Sequence, residues 1–180
     1  MNKEKVFLFV DFQERLMPVM DNVETLEDKV IRLAKGAVAL DMPILVTEQY
    51  TKGLGFTVDP LKEVFEDKAL YFEKTSFSAV GEEGFMEFFE KNAKGYKEII
   101  ICGIEAHICV LQTALDFMEK GYKVRVVEDC VRSRSNNDKK MAVRRMRSEG
   151  MDITTCETIL FEILGGAKVE GFKEISKIIK

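Results

Sequence analysis

The chain has 180 residues, 46% of them hydrophobic and 32% charged, with a formal net charge of −4. That length suits one domain with a sizeable core, and the composition is that of a globular chain. Net acidity with interspersed charges argues against nucleic acid or an anionic membrane as a partner, and no apolar run approaches the ~20 residues that a bilayer span needs.

The opening segment carries a short apolar stretch, Val6–Val10, closed at once by Asp11. This is no secretory signal core, and the expected location is the cytoplasm. In a reducing compartment the cysteines Cys102, Cys109, Cys130 and Cys156, which form no Cys-x-x-Cys motif, are expected to be free thiols. The only histidine is His107, so the ligand clusters of a zinc site are missing. Neither a metal nor a cofactor is expected.

Strand and helix patterns alternate along the chain. Val6–Val10 reads as a strand ending at Asp11. Asp21 and Glu24 resemble a capping box ahead of apolar residues at helical spacing: Val23, Leu26, Val30, Leu33, Ala37 and Leu40. Asp41-Met42-Pro43 stops that helix, and Ile44–Thr47 is the second strand. Residues 48–60 form a loop with Gly53, Gly55, Tyr50 and Phe56, and Leu61–Phe65 makes one or two helical turns. Ala69–Phe72 is the third strand, followed by the polar loop Lys74–Gly81.

A helix follows over Glu82–Asn92, then a fourth strand over Glu98–Cys102. The spacing predicts a helix over Ala106–Lys120, stopped by Gly121, and a fifth strand over Val124–Val127. Ser135 with Asp138 opens another helix, running to Gly150. Ile153–Thr155 is a short sixth strand, and helices over Glu157–Leu164 and Glu170–Ile179 close the chain. No repeat or linker divides it, so residues 1–180 read as one domain.

Strands alternating with helices imply an α/β fold in which a parallel sheet is covered on both faces. Ligands of such sheets bind beyond the carboxyl ends of the strands, where the strand order reverses. That rule selects 11–13, 47–50, 74–78, 103–109 and 129–134.

Cys109 is the leading candidate. A cysteine on the inner face of a helix is most often a small hydrophobe. This one stands in the first turns of a helix, just beyond a strand and a glycine. Backbone N–H groups and the helix dipole favour an anion there, so an acidified, reactive thiol is expected. Asp11 is either a turn-forming residue or a carboxylate base. Lys74 is either a solvated surface residue or a cation that holds the thiolate and carboxylate. His107 stands two residues from Cys109, on a different helical face, and is expected to line the pocket or pack locally. Cys102, Cys130 and Cys156 read as structural. Neither a phosphate-binding glycine loop nor a Gly-x-Ser-x-Gly elbow is present.

The segment Gly103-Ile-Glu-Ala-His-Ile-Cys109-Val resembles that of the isochorismatase-like cysteine hydrolases. Residues 10–13, 47–50 with 52–55, 74–78, 132–135 and 153–157 match that family in order. The resemblance covers nearly the whole chain and lies closest to the isochorismatase-domain proteins of uncertain substrate. It implies a three-layer, Rossmann-like α-β-α fold with a six-stranded parallel sheet of order 3-2-1-4-5-6. It further implies an Asp11–Lys74–Cys109 triad and a cis peptide at Ile104–Glu105, which aims the Glu105 N–H, beside that of Cys109, at an oxyanion. The implied activity is hydrolysis of a small amide or related C–N bond through a covalent acyl-enzyme.

Phe12, Gln13, Gln49, Tyr50, Phe77 and His107 are candidates for the substrate pocket. The histidine-rich metal site of nicotinamidase relatives has no counterpart at Thr47-Glu48-Gln49-Tyr50. A small-molecule substrate and a homo-oligomer, dimeric or larger, are the expected partners. A redox-responsive cysteine protein and a non-catalytic binding or scaffold member of the family stay open as alternatives.

Overall fold

A computed structural model describes residues 4–180. Met1–Lys3, the start of the segment read as lacking a secretory signal, lie outside the described residues. The strands are β1 (Lys5–Val10), β2 (Ile44–Gln49), β3 (Ala69–Lys74), β4 (Glu98–Ile104), β5 (Lys123–Arg132) and β6 (Asp152–Thr154). They form one parallel sheet of order β3-β2-β1-β4-β5-β6. Between and after them run α1 (Val23–Ala39), α2 (Thr51–Leu54), α3 (Asp59–Phe65), α4 (Phe85–Asn92), α5 (Leu111–Glu119), α6 (Asn136–Ser148), α7 (Cys156–Leu164) and α8 (Phe172–Ile179).

The central strands are apolar on both faces, as a doubly covered parallel sheet demands. Phe7 and Phe9 of β1 join Leu33 of α1, Phe65 of α3 and Leu160 of α7 in one core. Val6, Leu8 and Val10 of the same strand join Phe89 of α4, Phe117 of α5 and Met146 of α6 in the other. Each such side chain gains about 1.5–3 kcal/mol from leaving water, before conformational entropy is charged against it. The six-stranded order, 3-2-1-4-5-6, is the one that the resemblance implies. Among the described residues, no helix is long and apolar enough to cross a membrane.

β1 has β2 on one side and β4 on the other, so the strand order reverses at the β1–β4 crevice. Val10 pairs with Gly103 there. A Cβ on Gly103 would stand 2.5 Å from both the Cβ and the carbonyl oxygen of Val10. Glycine at this position lets the two strands that end at the crevice approach each other.

Two local expectations are corrected. The Asp21–Glu24 capping box does not form: α1 begins at Val23, and its N-cap is Asn22, in the left-handed region at φ 50 with no side-chain cap bond. The Asp21 N–H instead donates to the Ser133 carbonyl at 3.1 Å, tying the entry of α1 to the loop after β5. By contrast, Ser135 does cap α6, accepting from the Asp138 N–H. The fifth strand runs past Val127 to Arg132, so Cys130 lies within it. The register steps from Ile101–Val126 to Gly103–Val131, and this irregularity accommodates the extra β5 residues.

Candidate active site

Asp11 leaves β1 with a left-handed backbone, φ 56, and no exposed surface. A non-glycine residue held there costs of order 1 kcal/mol and turns the side chain off the strand's alternation. The turn is anchored by the Asp11 N–H on the Thr47 carbonyl at 3.1 Å. The Thr47 hydroxyl donates to Asp11 Oδ1 at 2.7 Å, and Lys74 Nζ donates to Asp11 Oδ2 at 2.8 Å. A buried carboxylate thus has both oxygens satisfied, one by a cation.

Lys74 is the last residue of β3, in register with Gln49 of β2, and its side chain is fully buried. Its ammonium also donates to Gln49 Oε1 at 2.6 Å and to the carbonyls of Ser76 and Phe77, each at 3.2 Å. Those carbonyls belong to the loop leaving β3, which folds back over the sheet. Glu82 accepts from the Thr75 and Ser76 N–H groups at 2.8 and 2.6 Å. Gln49 Nε2 donates to the Thr75 carbonyl at 2.6 Å. Further along, Ser78 donates to Asp116 at 2.5 Å, and the Ala79 N–H donates to Thr113 Oγ1 at 3.0 Å, docking the loop on α5. Hydrogen bonds from the Ser76 and Thr75 N–H groups hold the Glu82 carboxyl below the usual carboxylate range.

Cys109 lies in a π-helical turn, Ala106–Val110, that leads into α5. Such turns are often found at functional sites. Only 7% of Cys109 is exposed, and it packs in the core that contains Val10 and Val110. Burial and then the Asp11 carboxylate push its thiol up to about 12, against the smaller downward pull of Lys74. The expectation of an acidified thiol is therefore corrected: desolvation and a facing carboxylate outweigh the start of a helix. Burial first and the facing Asp11 side chain second favour the protonated thiol over the thiolate.

The Ile104–Glu105 peptide is cis. The Glu105 carbonyl accepts from the N–H groups of Ile108 and Val110, and its nearly buried carboxylate accepts from Arg134.

The remaining pocket candidates divide. Phe12 has no exposed surface and packs against Phe9 in the core. Gln13 is equally buried, its amide spent on the Gln49 and Gly55 carbonyls and the Gln49 N–H. Neither lines an open surface, because each faces back into the fold. Gln49 serves Lys74, as described. Tyr50 and Phe77 are 51% and 57% exposed at the carboxyl ends of β2 and β3. His107 Nδ1 lies 2.8 Å from Ser133 Oγ rather than on Cys109.

Sequence reasoning missed three contributors: Thr47 as the partner of Asp11, Gln49 as the partner of Lys74, and Glu82 as the anchor of the Lys74 loop. Thr47 and Gln49 were visible as polar residues ending an apolar strand; Glu82 had no local signal. At 47–50, Thr47 is bound to Asp11, Glu48 to the backbone and hydroxyl of Thr57, and Gln49 to Lys74. Cys102 and Cys130 are fully buried with their thiols pushed well up by burial, as structural residues are.

Residues 5–158 match the family model described as the isochorismatase domain. The chain is 49% identical over 138 residues to isochorismatase family protein 1A of Dictyostelium discoideum, covering 76% of this chain and 66% of that one. It is 38% identical over 177 residues to isochorismatase domain-containing protein 2 of Xenopus laevis, covering 98% and 84%. Among solved structures, MAR1 ribonuclease from Caenorhabditis elegans superposes with a TM-score of 0.90 at 38% identity, over 99% of this chain and 91% of that one. YcaC from Pseudomonas aeruginosa, solved with hexane-2,5-diol and covalent acrylamide, gives a TM-score of 0.90 at 26% identity, over 99% and 90%.

Proposed function

The chain belongs to the isochorismatase family, and from that premise we propose that it is a metal-independent cysteine hydrolase acting on a small amide or related C–N bond. The observation that carries this reading is the fully buried Asp11–Lys74 ion pair, 2.8 Å long, at the carboxyl ends of the strands where the Cys109 turn also begins, with burial first and Asp11 second favouring the protonated Cys109 thiol. A preformed thiolate is not needed where the base stands beside the nucleophile.

In this reading Asp11 takes the Cys109 proton as sulfur attacks the carbonyl carbon. The N–H groups of Glu105 and Cys109 receive the developing oxyanion. The proton on Asp11 passes to the leaving nitrogen, the C–N bond breaks, and a thioester remains. Water, activated by the same carboxylate, then releases the acid and restores the thiol. Lys74 holds Asp11 in place and balances its charge. Tyr50 and Phe77, exposed beside Lys74, offer surface to the substrate.

Covalent acrylamide on YcaC supports a nucleophile in this fold, since acrylamide is an electrophile that alkylates thiols. A thiol pushed up rather than down gives no support to the redox-responsive alternative. A homo-oligomer is part of this reading and is tested by light scattering.

The test is turnover of a panel of small amides by wild type and Cys109→Ala. An RNA oligonucleotide belongs in the panel because the C. elegans relative is named as a ribonuclease, although a net charge of −4 disfavours that substrate. Turnover of an amide that is lost in Cys109→Ala is expected. Unchanged turnover in the variant sinks the nucleophile assignment.

A further inference from the structure

We propose that the loop after β5 is a clamp on the nucleophile segment, with Arg134 as the positioning residue that sets the Glu105 N–H for the oxyanion. The proposal rests on the cysteine-hydrolase reading above and adds what holds its oxyanion site in place.

The ties run residue to residue. The Arg134 N–H donates to Glu105 Oε2 at 3.0 Å, and Arg134 Nε reaches Glu105 Oε1 and Oε2 at 3.1 and 3.2 Å. Two residues on, His107 Nδ1 meets Ser133 Oγ at 2.8 Å. Two consecutive loop residues thus grip two residues of the segment Glu105–Cys109 from one side. The loop is itself fixed from behind, because Ser133 is fully buried and its carbonyl accepts from the Asp21 N–H.

Glu105 is where these ties converge. Its carbonyl accepts from Ile108 and Val110, which fixes the peptide leading into the π turn. Its carboxylate is fixed by Arg134. With its carbonyl and side chain anchored on one side and Ile104 held in β4 against Arg132 on the other, rotation about the Glu105 N–Cα bond is restrained, and with it the direction of the Glu105 N–H. The environment also asks for this partner: the Glu105 side chain is 9% exposed, and a nearly buried carboxylate left unpaired is costly, whereas Arg134 is 63% exposed and gains little by burial. The pairing is therefore specific to one loop geometry.

Two thiol-directed probes separate positioning from simple support. Acylation by p-nitrophenyl acetate passes through a tetrahedral oxyanion: the S–C bond forms, the thiol proton goes to Asp11, and p-nitrophenolate leaves with the bonding electron pair. Alkylation by iodoacetamide displaces iodide at a saturated carbon and forms no oxyanion. Both rates are measured at Cys109 by mass spectrometry in wild type, Arg134→Gln, Arg134→Lys and Ser133→Ala, with circular dichroism to monitor folding.

The expected result is a fall of about tenfold or more in the acylation rate of Arg134→Gln, smaller than the roughly 10²–10³-fold loss when an oxyanion donor is removed outright because the donor is only displaced, with the alkylation rate nearly unchanged. Arg134→Lys keeps the charge but not the Nε–H donor and is expected to fall between wild type and Arg134→Gln. If Arg134→Gln does not fold, the acylation-to-alkylation ratio of Arg134→Lys and Ser133→Ala decides. Equal loss of both rates, or undiminished acylation, overturns the clamp while leaving the hydrolase reading intact. Failure of both probes to label Cys109 in wild type overturns the hydrolase reading and the clamp with it.

Discussion

Lys74 Nζ lies 2.8 Å from Asp11 Oδ2 although the two residues end strands that are not neighbours, with β2 between them. The lysine stem crosses β2, and Gln49, its register partner on that strand, accepts from the same ammonium. Both members of the ion pair have fully buried side chains. Such a pair contributes little net stability but is costly to break.

Lys74→Met is therefore expected to destabilise the fold by about 3–5 kcal/mol, because it leaves the Asp11 side chain buried without its cation, with the Thr47 hydroxyl still donating to Oδ1. The double variant Asp11→Asn with Lys74→Met removes both charges and should recover a large part of that loss. Urea denaturation of the two single variants and the double variant measures the coupling. Additive losses would contradict a coupled pair.

The Cys109 thiol has a pH signature. Its ordinary value is 9.0, and in the folded chain it is pushed up to about 12 by burial and Asp11. Between those values the unfolded state loses the proton while the folded state keeps it. Stability from this group is thus fully present below about pH 9, falls by about 1.4 kcal/mol per pH unit above it, and is gone once pH passes the folded value of about 12. Cys109→Ala should lose this alkaline slope when urea midpoints are compared at several pH values. Asp11→Asn removes a charge that raises the thiol, so the midpoint of iodoacetamide alkylation should move to lower pH. Lys74→Gln removes a charge that lowers it, so the midpoint should move up. An unchanged midpoint in Asp11→Asn would break the assignment of that carboxylate to Cys109.

Gly103→Ala probes the β1–β4 crevice. The new methyl would stand 2.5 Å from the Val10 backbone carbonyl and Cβ, which cannot move aside as a flexible side-chain end could. A loss of about 1–3 kcal/mol is expected, as for other overpacked sites. Activity should fall further than stability alone explains, since Val10 directly precedes Asp11. Gly81→Ala is the control, because its nearest contact would be an ordinary 3.6 Å to the Ser78 carbonyl. Equal thermal midpoints for the two variants would refute the close-approach argument.

Much of this molecule was legible in its residues. Apolar runs such as Val6–Val10 and Glu98–Cys102 marked strands covered on both faces, and each ended on a residue of chemical interest or just before one. The carboxyl-end rule then gathered Asp11, Lys74 and Cys109 without any distance being known. Ser135 announced its helix correctly, because a cap is a local contact between residues three apart. Asp21 carried a similar pattern and failed, because a tertiary partner, the Ser133 carbonyl, took its N–H and moved the start of α1 to Val23.

By itself the sequence determined the alternation of elements, the single sheet and the residue types at its carboxyl edge. These follow from hydrophobic periodicity and chain punctuation, which are local. Only the tertiary structure decided that Lys74 spans β2 to reach Asp11, that Thr47, Gln49 and Glu82 hold the pair and its loop, and that Arg134 grips Glu105. It also decided the direction in which Cys109 is shifted. A helix start favours a thiolate, but desolvation and a facing carboxylate oppose it, and their balance depends on which groups the packed fold brings within a few ångströms of the sulfur.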